Sequence, residues 1–412
     1  MRLLVFGHLS HTGFGTVTSE LATRFLAAGV DVRVIAVNHR GEPIKGPLNG
    51  HVWPANIYGH PYAGDWSGGA IDGTVWSRLD PGDEWKPDKV LVISDVSGFL
   101  NHIGQSVETW RAAEVYHYCP IEGDNLTPAW RQLWEHFAPV AMSDYGAQVI
   151  GSLLERPVPR IYHGVDTDTF HPVSPGRPIR WDGGVFRSKD DCKAKFGLAG
   201  RKVIFRADRN VVRKNYHSLF TAFVPIAEAD PDVDLVLHCR PLDPEGIDLI
   251  QELRRLPESV QPQVKFTNAH DTFKGLPVEG LNALYNAADI YMTTTGGEGF
   301  GLTLAESLAA GTPVVSTGWA AEVEVIGPGG VLIPPLTDSY GEPVRYHSGF
   351  GMDWAVPDPK AFTKPVLRLL ANPRARRDLG DAGRLHVKRT FSWDTAAAEF
   401  LAILDPALEA VA

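Results

Sequence analysis

Short apolar segments alternate with longer amphipathic segments along the chain of 412 residues. In the first part of the sequence the apolar segments lie at 3–6, 30–37, 89–93, 114–118, 139–143 and 160–162. They are rich in Val, Ile, Leu and Tyr, and most of the segments between them are long enough to hold a helix. This alternation predicts βαβ units, which build a parallel sheet covered by helices on both faces.

A second series of the same kind has its apolar segments at 202–207, 234–239, 264–267, 290–294, 313–317 and 331–334. Between the two series, residues 170–184 read F-H-P-V-S-P-G-R-P-I-R-W-D-G-G, a composition dense in Pro and Gly that is typical of connections between domains. The pattern therefore predicts an α/β protein with two doubly wound parallel sheets in tandem. We place the first domain at 1–175 and the second at 176–393.

Residues 38–87 interrupt the first series with little periodicity. The segment is rich in Gly, Pro and Trp, as in H-R-G-E-P-I-K-G-P and Y-A-G-D-W-S-G-G. Long loops in compact domains are usually functional or irregular. Both a loop that shapes a substrate site and a partly ordered surface segment stay open.

A glycine-rich stretch, T-T-T-G-G-E-G-F-G-L-T-L-A-E at 293–306, follows a predicted strand of the second domain. Open α/β sheets bind ligands at the carboxyl ends of their strands, and repeated glycines let backbone amides approach an anion. A helix predicted at 303–310 directs its positive end to the same place. Glu298 has no obvious structural role among these glycines, which favours binding. For Glu306 two interpretations stay open, a ligand-binding carboxylate or the end of a T-x-x-E capping box with Thr303.

Basic residues follow the first strand of the same domain, in D-R-N-V-V-R-K-N at 208–215. Arg209 and Lys214 come directly after the strand, so both can turn into the cleft and donate charge-assisted hydrogen bonds to phosphate oxygens. A solvated basic turn is the alternative. Their position at the same sheet edge as the glycine-rich stretch favours phosphate binding.

The loop after the first strand reads G-H-L-S-H-T-G-F-G-T, residues 7–16. Its segment from Gly13 to Gly15 matches part of the dinucleotide fingerprint G-x-G-x-x-G, but Thr18 stands at the third glycine position. A tight loop that lets a substrate approach explains this segment better than a nicotinamide cofactor does.

His117 and Glu122 lie at the end of a predicted first-domain strand, in V-Y-H-Y-C-P-I-E-G-D. Either side chain can face the cleft and contact a substrate. Because side chains alternate between the two faces of a strand, burial of His117 as a hydrogen-bonded core residue is the competing interpretation.

Composition argues against several classes of function. The formal net charge is -10, and the first 170 residues hold 12 Lys and Arg against 19 Asp and Glu, so nucleic acid is not an expected partner. Three separated cysteines suggest neither a disulfide framework nor a zinc site. No apolar run reaches the roughly 18 residues of a membrane span. We expect a cytoplasmic protein, with peripheral association at a membrane left open.

Two D-x-D sequences, at 166–168 and 232–234, have the form that some sugar transferases use to bind a divalent ion. The first lies in the domain connection and the second at the start of a strand, which favours surface carboxylates. We therefore expect neither a metal ion nor a cofactor.

Taken together, these segments resemble the retaining glycosyltransferases of family 4, which have the GT-B fold of two Rossmann-like domains facing across a cleft. The resemblance runs over nearly the whole chain. The motifs that carry it are H-G-V-D-T-D-T-F-H-P (163–172), R-x-x-x-x-K (209–214), L-Y-N-A-A-D-I-Y (284–291), E-G-F-G-L-T-L-A-E (298–306), A-A-G-T-P-V-V (309–315) and F-S-W-D (391–394).

The resemblance implies a role for each matched residue. Glu298 resembles the glutamate that contacts the donor sugar near its 3-hydroxyl, and Glu306 resembles the one that holds the ribose hydroxyls. Arg209 and Lys214 match the pair that clamps the diphosphate. The implied donor-binding set further comprises Gly299, Phe300, Gly301, Leu302 and Thr303, faced from the first domain by Gly13, Phe14 and Gly15.

Two further expectations rest on the resemblance. Family members often carry a histidine at the end of a first-domain strand that assists the sugar, and His117 is taken as that catalytic residue, with Glu122 as the alternative. A final helix at about 394–405, within the segment 394–412, is expected to pack back on the first domain.

The implied activity is a retaining, metal-independent transfer of a sugar from a nucleotide-diphosphate donor to an acceptor hydroxyl. The expected partners are the nucleotide-sugar donor and a sugar, glycan or small-molecule acceptor. The alternatives are an epimerase or synthase acting on nucleotide sugars on the same scaffold, and a protein that binds sugar nucleotides without catalysis.

Overall fold

A computed structural model describes residues 1–10, 12–37, 39, 43–54, 85–103, 113–267 and 275–405. Within these residues the chain folds around two six-stranded parallel sheets, one formed before residue 142 and the other after residue 201. The predicted fold class is confirmed. The predicted insertion at 38–87 lies mostly outside the described residues.

The first sheet has the strand order β3-β2-β1-β4-β5-β6, and every pairing in it is parallel. Its strands are β1 Arg2–His8, β2 Asp31–Val37, β3 Val52–Pro54, β4 Lys89–Ile93, β5 Glu114–Cys119 and β6 Ala138–Ala141. Its helices are α1 Gly13–Ala27, α2 Val96–Ile103, α3 Ala129–Trp134 and α4 Asp144–Leu154. Because helices cover both faces, the central strands are buried along almost their whole length, which explains their continuous apolar runs.

The second sheet repeats this topology with the order β11-β10-β9-β12-β13-β14, again all parallel. Its strands are β9 Lys202–Ala207, β10 Val233–His238, β11 Val264–Phe266, β12 Ile290–Thr293, β13 Val314–Thr317 and β14 Gly330–Ile333. The helices that follow the domain connection are α5 Lys189–Lys195, α6 Tyr216–Ala229, α7 Leu249–Arg254, α8 Val278–Ala287, α9 Leu302–Ala309, α10 Glu322–Ile326, α11 Pro359–Ala371, α12 Pro373–Thr390 and α13 Trp393–Leu404. The strand order reverses between β9 and β12, and ligands bind at such a switch point in open α/β sheets.

Two details of the predicted strand pattern are wrong. The segment 160–162 forms only a single bridge, between Ala141 and Arg160, because β6 ends at Ala141 and offers no residues to pair with Ile161 and Tyr162. The Pro- and Gly-rich connection contains a short antiparallel hairpin, β7 Ile179–Trp181 and β8 Gly184–Phe186.

A second hairpin, β15 Arg345–His347 and β16 Asp353–Ala355, extends from the second domain onto the first. Arg345 pairs with Asp124 at 2.9 Å, and Asp124 also forms a backbone bridge with Asp353. Trp354 joins the first-domain core beside Trp130. The hairpin therefore ties the two domains together, and no pattern in the sequence predicted it.

The last described helix, α13, packs against α1 of the first domain. Phe400 meets Phe25 edge to face at a centroid distance of 6.2 Å, and Asp394 accepts a hydrogen bond from Arg24 at 2.6 Å. Ser392 caps the helix start by accepting the Thr395 amide. In the described part of the chain, no helix is both long and apolar enough to cross a membrane.

Candidate active site

The site is built at the switch point of the second sheet, from the loop after β9 and the loop after β12. β9 and β12 pair directly, with Tyr291 opposite Phe205, so their carboxyl ends lie side by side. The short 3₁₀ turn Val212–Lys214 after β9 thereby comes to face the glycine-rich loop after β12. The sequence segments 208–214 and 294–301 thus form one site.

Glu298 is held from three sides in this loop. Its Oε1 accepts from Lys214 Nζ at 2.5 Å, and its Oε2 lies 3.1 Å from Arg213 Nη1. Its backbone amide donates to Glu322 Oε2 at 3.0 Å. Burial alone would raise the pKa of Glu298, but the charges of Arg213 and Lys214 outweigh it and lower the pKa below its usual value. Glu298 is therefore an ionised carboxylate in a fixed orientation.

A second buried carboxylate, Asp208, supports Lys214 from behind. Its two oxygens accept from Lys214 Nζ at 2.7 Å and from Arg206 Nε at 2.9 Å. The Arg206 side chain is 0% exposed and lies 4.2 Å above the ring of Tyr216. Buried charges are tolerated when each has a partner of opposite sign. The alternation of cation and anion fixes Lys214 next to Glu298.

Glu306 lies in α9, one helical turn inside the helix. The helix begins after Gly301, which has a φ of 94° and caps it without a side-chain hydrogen bond. Thr303 is thus already helical, and the capping-box interpretation is wrong. Glu306 Oε2 accepts instead from the hydroxyl of Tyr285 at 2.8 Å, and burial raises its pKa to about 7. The carboxyl has capacity left for a ligand.

Arg209 does not meet Lys214, because the turn between them directs Lys214 inward and leaves Arg209 at the rim. The Arg209 guanidinium donates to both oxygens of Asp243, at 3.0 and 3.2 Å, and to Glu245 at 2.8 Å. Its side chain is 52% exposed. The two predicted clamp residues therefore contact different carboxylates, and their shared role at a diphosphate stays a prediction.

The glycines of the loop are required by the contact between the domains. A Cβ on Gly297 would lie 1.8 Å from the carbonyl oxygen of Glu122, and one on Gly299 would lie 2.2 Å from Pro120 Cβ. Both distances are far below van der Waals contact. Only glycine lets the loop approach the first domain this closely, so sterics at the interface explain a pattern that the sequence suggested was for a ligand.

The other predicted donor-binding residues lie around the start of α9. The Phe300 ring is buried, 4.8 Å from the His163 ring and 5.1 Å from Phe391. Thr303 Oγ1 lies 3.1 Å from the Tyr291 hydroxyl. Leu302 faces the first domain, where a Cβ on Gly13 would contact its Cδ1 at 3.5 Å. Any donor contacts of Phe300 and Leu302 would thus come from their backbone amides.

The first-domain loop forms the start of α1. Thr12 caps the helix by accepting the amide of Gly15 at 3.2 Å, and a Cβ on Gly15 would overlap the Ser10 carbonyl oxygen at 1.8 Å. The Phe14 ring stacks on His8 at a centroid distance of 5.7 Å. The loop faces α9 across the domain boundary through Gly13.

His117 lies in the first-domain core, and its selection as a catalytic residue is not supported by its position. The side chain is 0% exposed. Its Nδ1 accepts from Trp134 Nε1 at 3.2 Å, because an indole can only donate, so Nε2 carries the proton and donates to the Ser94 carbonyl at 3.2 Å. Burial lowers its pKa to about 3. The alternation of β5 turns this ring inward, as the competing interpretation held.

Four residues that contribute to the site were missed by sequence reasoning. Residues 209–214 contain three basic side chains, and Arg213 is the one that the motif R-x-x-x-x-K does not include. The Arg206 and Asp208 pair carried a signal, since an arginine inside an apolar strand followed by aspartate indicates a buried ion pair. Glu322 carried none. Burial and the charge of Glu298 raise its pKa well above the usual value, so it is neutral, and its Oε1 has no partner among the described contacts.

The carboxylates of the D-x-D sequences have structural partners. Asp166 accepts the amides of Asp168 and Thr169, and Asp234 pairs with Arg201 at 2.9 Å and with Lys265. Among the described residues, no cluster of three or more His, Cys, Asp or Glu side chains has the arrangement of a metal site.

Two Rossmann-like sheets whose strand ends meet around such a site define the GT-B class of glycosyltransferases. Sucrose-phosphate synthase from Thermosynechococcus elongatus superimposes with a TM-score of 0.72 at 18% identity, over 100% of both chains. HepE of Anabaena, solved with UDP and glucose, gives 0.67 at 14% identity over 98% of this chain and 100% of its own. At such identities the likeness concerns the fold.

Sequence similarity points to the same class. The family model described as "Glycosyl transferases group 1" matches residues 200–372. The MMP alpha-(1->4)-mannosyltransferase of Mycolicibacterium hassiacum is 26% identical over 310 residues, which cover 73% of this chain and 66% of the relative. The match thus spans just under two-thirds of that relative's own length. The resemblance to glycosyltransferases that the sequence predicted is confirmed.

Proposed function

We propose that the protein transfers a sugar from a nucleoside-diphosphate donor to an acceptor hydroxyl, with retention at the anomeric carbon and without a metal ion. The observation that carries this proposal is the pair of carboxylates flanking one loop and helix start. Glu298 is ionised and fixed by Lys214 and Arg213, and Glu306 lies eight residues further on with hydrogen-bonding capacity left. In this proposal Glu298 holds the sugar, and Glu306 holds the ribose.

Between the two carboxylates the site offers positive electrostatic potential to a diphosphate. An ammonium has three N–H donors, and two of those on Lys214 go to Asp208 and Glu298, which leaves the third for a phosphate oxygen. The amides at the start of α9 and the positive end of its dipole add to this potential. Arg209 reaches the outer phosphate by leaving its rim carboxylates.

The reaction follows from this placement of charge. The bond between the anomeric carbon and the phosphate oxygen breaks, and its electron pair goes to the diphosphate, which Lys214 and the helix start stabilise. The anomeric carbon gains oxocarbenium character. The acceptor oxygen attacks from the side of the departing phosphate, which takes the acceptor proton. Retention then needs no protein nucleophile, and contact between the domains excludes water.

Similar proteins suggest which substrates to test. One relative is named a mannosyltransferase, and one structural neighbour was solved with UDP and glucose, so GDP-mannose and UDP-glucose are the first donors to test. The acceptors we propose are free sugars, sugar phosphates or other small hydroxyl compounds. A cytoplasmic location is part of the proposal, supported by three buried free cysteines.

The experiment has two stages. Thermal-shift measurements against UDP-, GDP-, ADP- and CDP-sugars identify the donor, because a ligand that binds only the folded state raises the Tm. Proton NMR of the product with an acceptor panel then gives the anomeric configuration. Lys214→Met should abolish turnover, whereas Lys388→Met, on the exposed surface of α12, should not. An inverted product, or full turnover by Lys214→Met, would contradict the proposal.

A further inference from the structure

Arg213 contacts a carboxylate in each domain, Glu298 in the second and Glu122 in the first. Its Nη1 lies 3.1 Å from Glu298 Oε2 and also donates to the carbonyl of Gly297, while its Nη2 lies 2.8 Å from Glu122 Oε1 of the first domain. The Arg213 side chain is only 12% exposed. One guanidinium therefore links the first-domain segment after β5 to the orientation of the sugar-binding carboxylate.

We propose that Glu122 is a positioning residue that acts on Glu298 through Arg213, so that Glu298 takes its working orientation only while the two domains are in contact. The proposal rests on the proposed function, since it assigns Glu298 to the donor sugar. It goes further by giving the first domain a defined part in the donor site.

The geometry makes this coupling local. Oε1 of Glu298 is fixed within the second domain by Lys214, so the orientation of the carboxylate plane depends on what holds Oε2. Arg213 holds it, and Arg213 is itself held on its other side by Glu122. Without the Glu122 charge, the guanidinium keeps one carboxylate partner instead of two and can turn away from Oε2.

The main chain makes the contact specific to one arrangement of the domains. The carbonyl oxygen of Glu122 and the ring of Pro120 lie where side chains on Gly297 and Gly299 would stand. Glu122 can therefore reach Arg213 only when these two backbone segments touch. Separation of the domains breaks the contact of Arg213 with Glu122, while the contact of Lys214 with Glu298 lies within the second domain.

The charges around Glu122 support the same inference. Burial raises the pKa of Glu122, Arg213 and Lys214 lower it in part, and Glu298 and Asp95 raise it further. The side chains of Arg213 and Glu122 are 12% and 21% exposed, and for a pair so little exposed to solvent, removing one partner has a large effect on the other. In a pair at the rim, such as Arg209 with Glu245, removing one partner has little effect on the other because water screens the charges.

The test uses the full chain and the donor found by the screen. Glu122→Gln keeps the size of the side chain and removes its charge, and Glu135→Gln, a 59% exposed first-domain carboxylate, is the matched control. We expect kcat for Glu122→Gln to fall by roughly 10- to 100-fold, the scale of a misplacement near 1 Å. The Kd of UDP or GDP without the sugar should not change, because Glu298 does not hold the nucleotide. A purely structural role would not produce this separation.

A double-substitution cycle identifies the route of the effect. If Glu122 acts through Arg213, then Arg213→Met combined with Glu122→Gln should lower kcat no further than Arg213→Met alone. Effects that multiply, or a Glu122→Gln variant with the kcat of wild type, would overturn the proposal.

Failure of the proposed function is a separate result. If wild type turns over none of the donors, the same four proteins are compared by urea unfolding. Unfolding free energies that are non-additive in Glu122 and Arg213 then support the coupling between the domains, and additive values overturn it.

Discussion

The pH dependence of nucleotide binding tests the role that we assign to Glu306. Its carboxyl accepts from the Tyr285 hydroxyl at 2.8 Å, and burial raises its pKa from 4.5 to about 7. An ionised carboxylate has two oxygens that only accept hydrogen bonds, so it can accept from both ribose hydroxyls, whereas in the protonated form one oxygen carries a proton and acts as a donor. The neutral form is favoured in the free protein below pH 7, so nucleotide binding should weaken as the pH falls and should release a proton.

The magnitude follows from the ionised fraction. With a pKa of about 7, roughly one tenth of the Glu306 carboxyls are ionised at pH 6 and roughly nine tenths at pH 8. The apparent Kd scales inversely with the competent fraction. We therefore expect the Kd of UDP or GDP to be about tenfold weaker at pH 6 than at pH 8, which corresponds to about 1.4 kcal/mol.

Isothermal titration calorimetry at pH 6, 7 and 8 measures this difference. The phosphates of the ligand titrate near pH 6 as well, so Glu306→Gln serves as the reference, because it shares that contribution and lacks the carboxyl. Repeating the titration in buffers of different ionisation enthalpy counts the protons released, expected to be about half a proton at pH 7. The same pH slope in wild type and Glu306→Gln would refute the reasoning.

Two further predictions concern stability. His117→Ala should cost about 2–4 kcal/mol of unfolding free energy, since it removes a buried ring and leaves the Trp134 indole unpaired. The kcat of the folded enzyme should stay unchanged. A large fall in kcat at unchanged stability would support a catalytic role for His117. Asp208→Asn should cost roughly 3–5 kcal/mol, because it removes the carboxylate paired with the buried Arg206 guanidinium and leaves Lys214 with Glu298 as its remaining carboxylate. Urea unfolding monitored by circular dichroism measures it, and a loss below 1 kcal/mol would contradict the buried-pair account.

The fold was predictable because its signal is local. Strands such as Lys89–Ile93 are buried on both faces, so their apolar runs are continuous and their bounds can be read from the sequence. The hairpin at 345–355 gave no such signal. Its strands have three residues each, and its stability comes from contacts with Asp124 and the first-domain core, more than 200 residues away.

The site divides in the same way. Motif spacing and the positions of strand ends predicted Glu298, Glu306 and Lys214 as site residues. These two signals depend only on residues that are close in the sequence. The link from Arg213 to Glu122 depends on how two domains meet, which spacing does not encode. For His117, alternation along the strand left two faces possible, and only the packing of Trp134 decides between them.

The contact of Gly297 and Gly299 with residues 120–122 bears on how enzymes of this architecture exchange parts. Recombining the acceptor half of one enzyme with the donor half of another is a natural route to new specificities. In this protein such a chimaera must meet a steric requirement. The incoming half needs a segment that fits against Gly297 and Gly299 as closely as residues 120–122 do. A junction chosen only by sequence boundaries would join two intact folds that cannot close on each other.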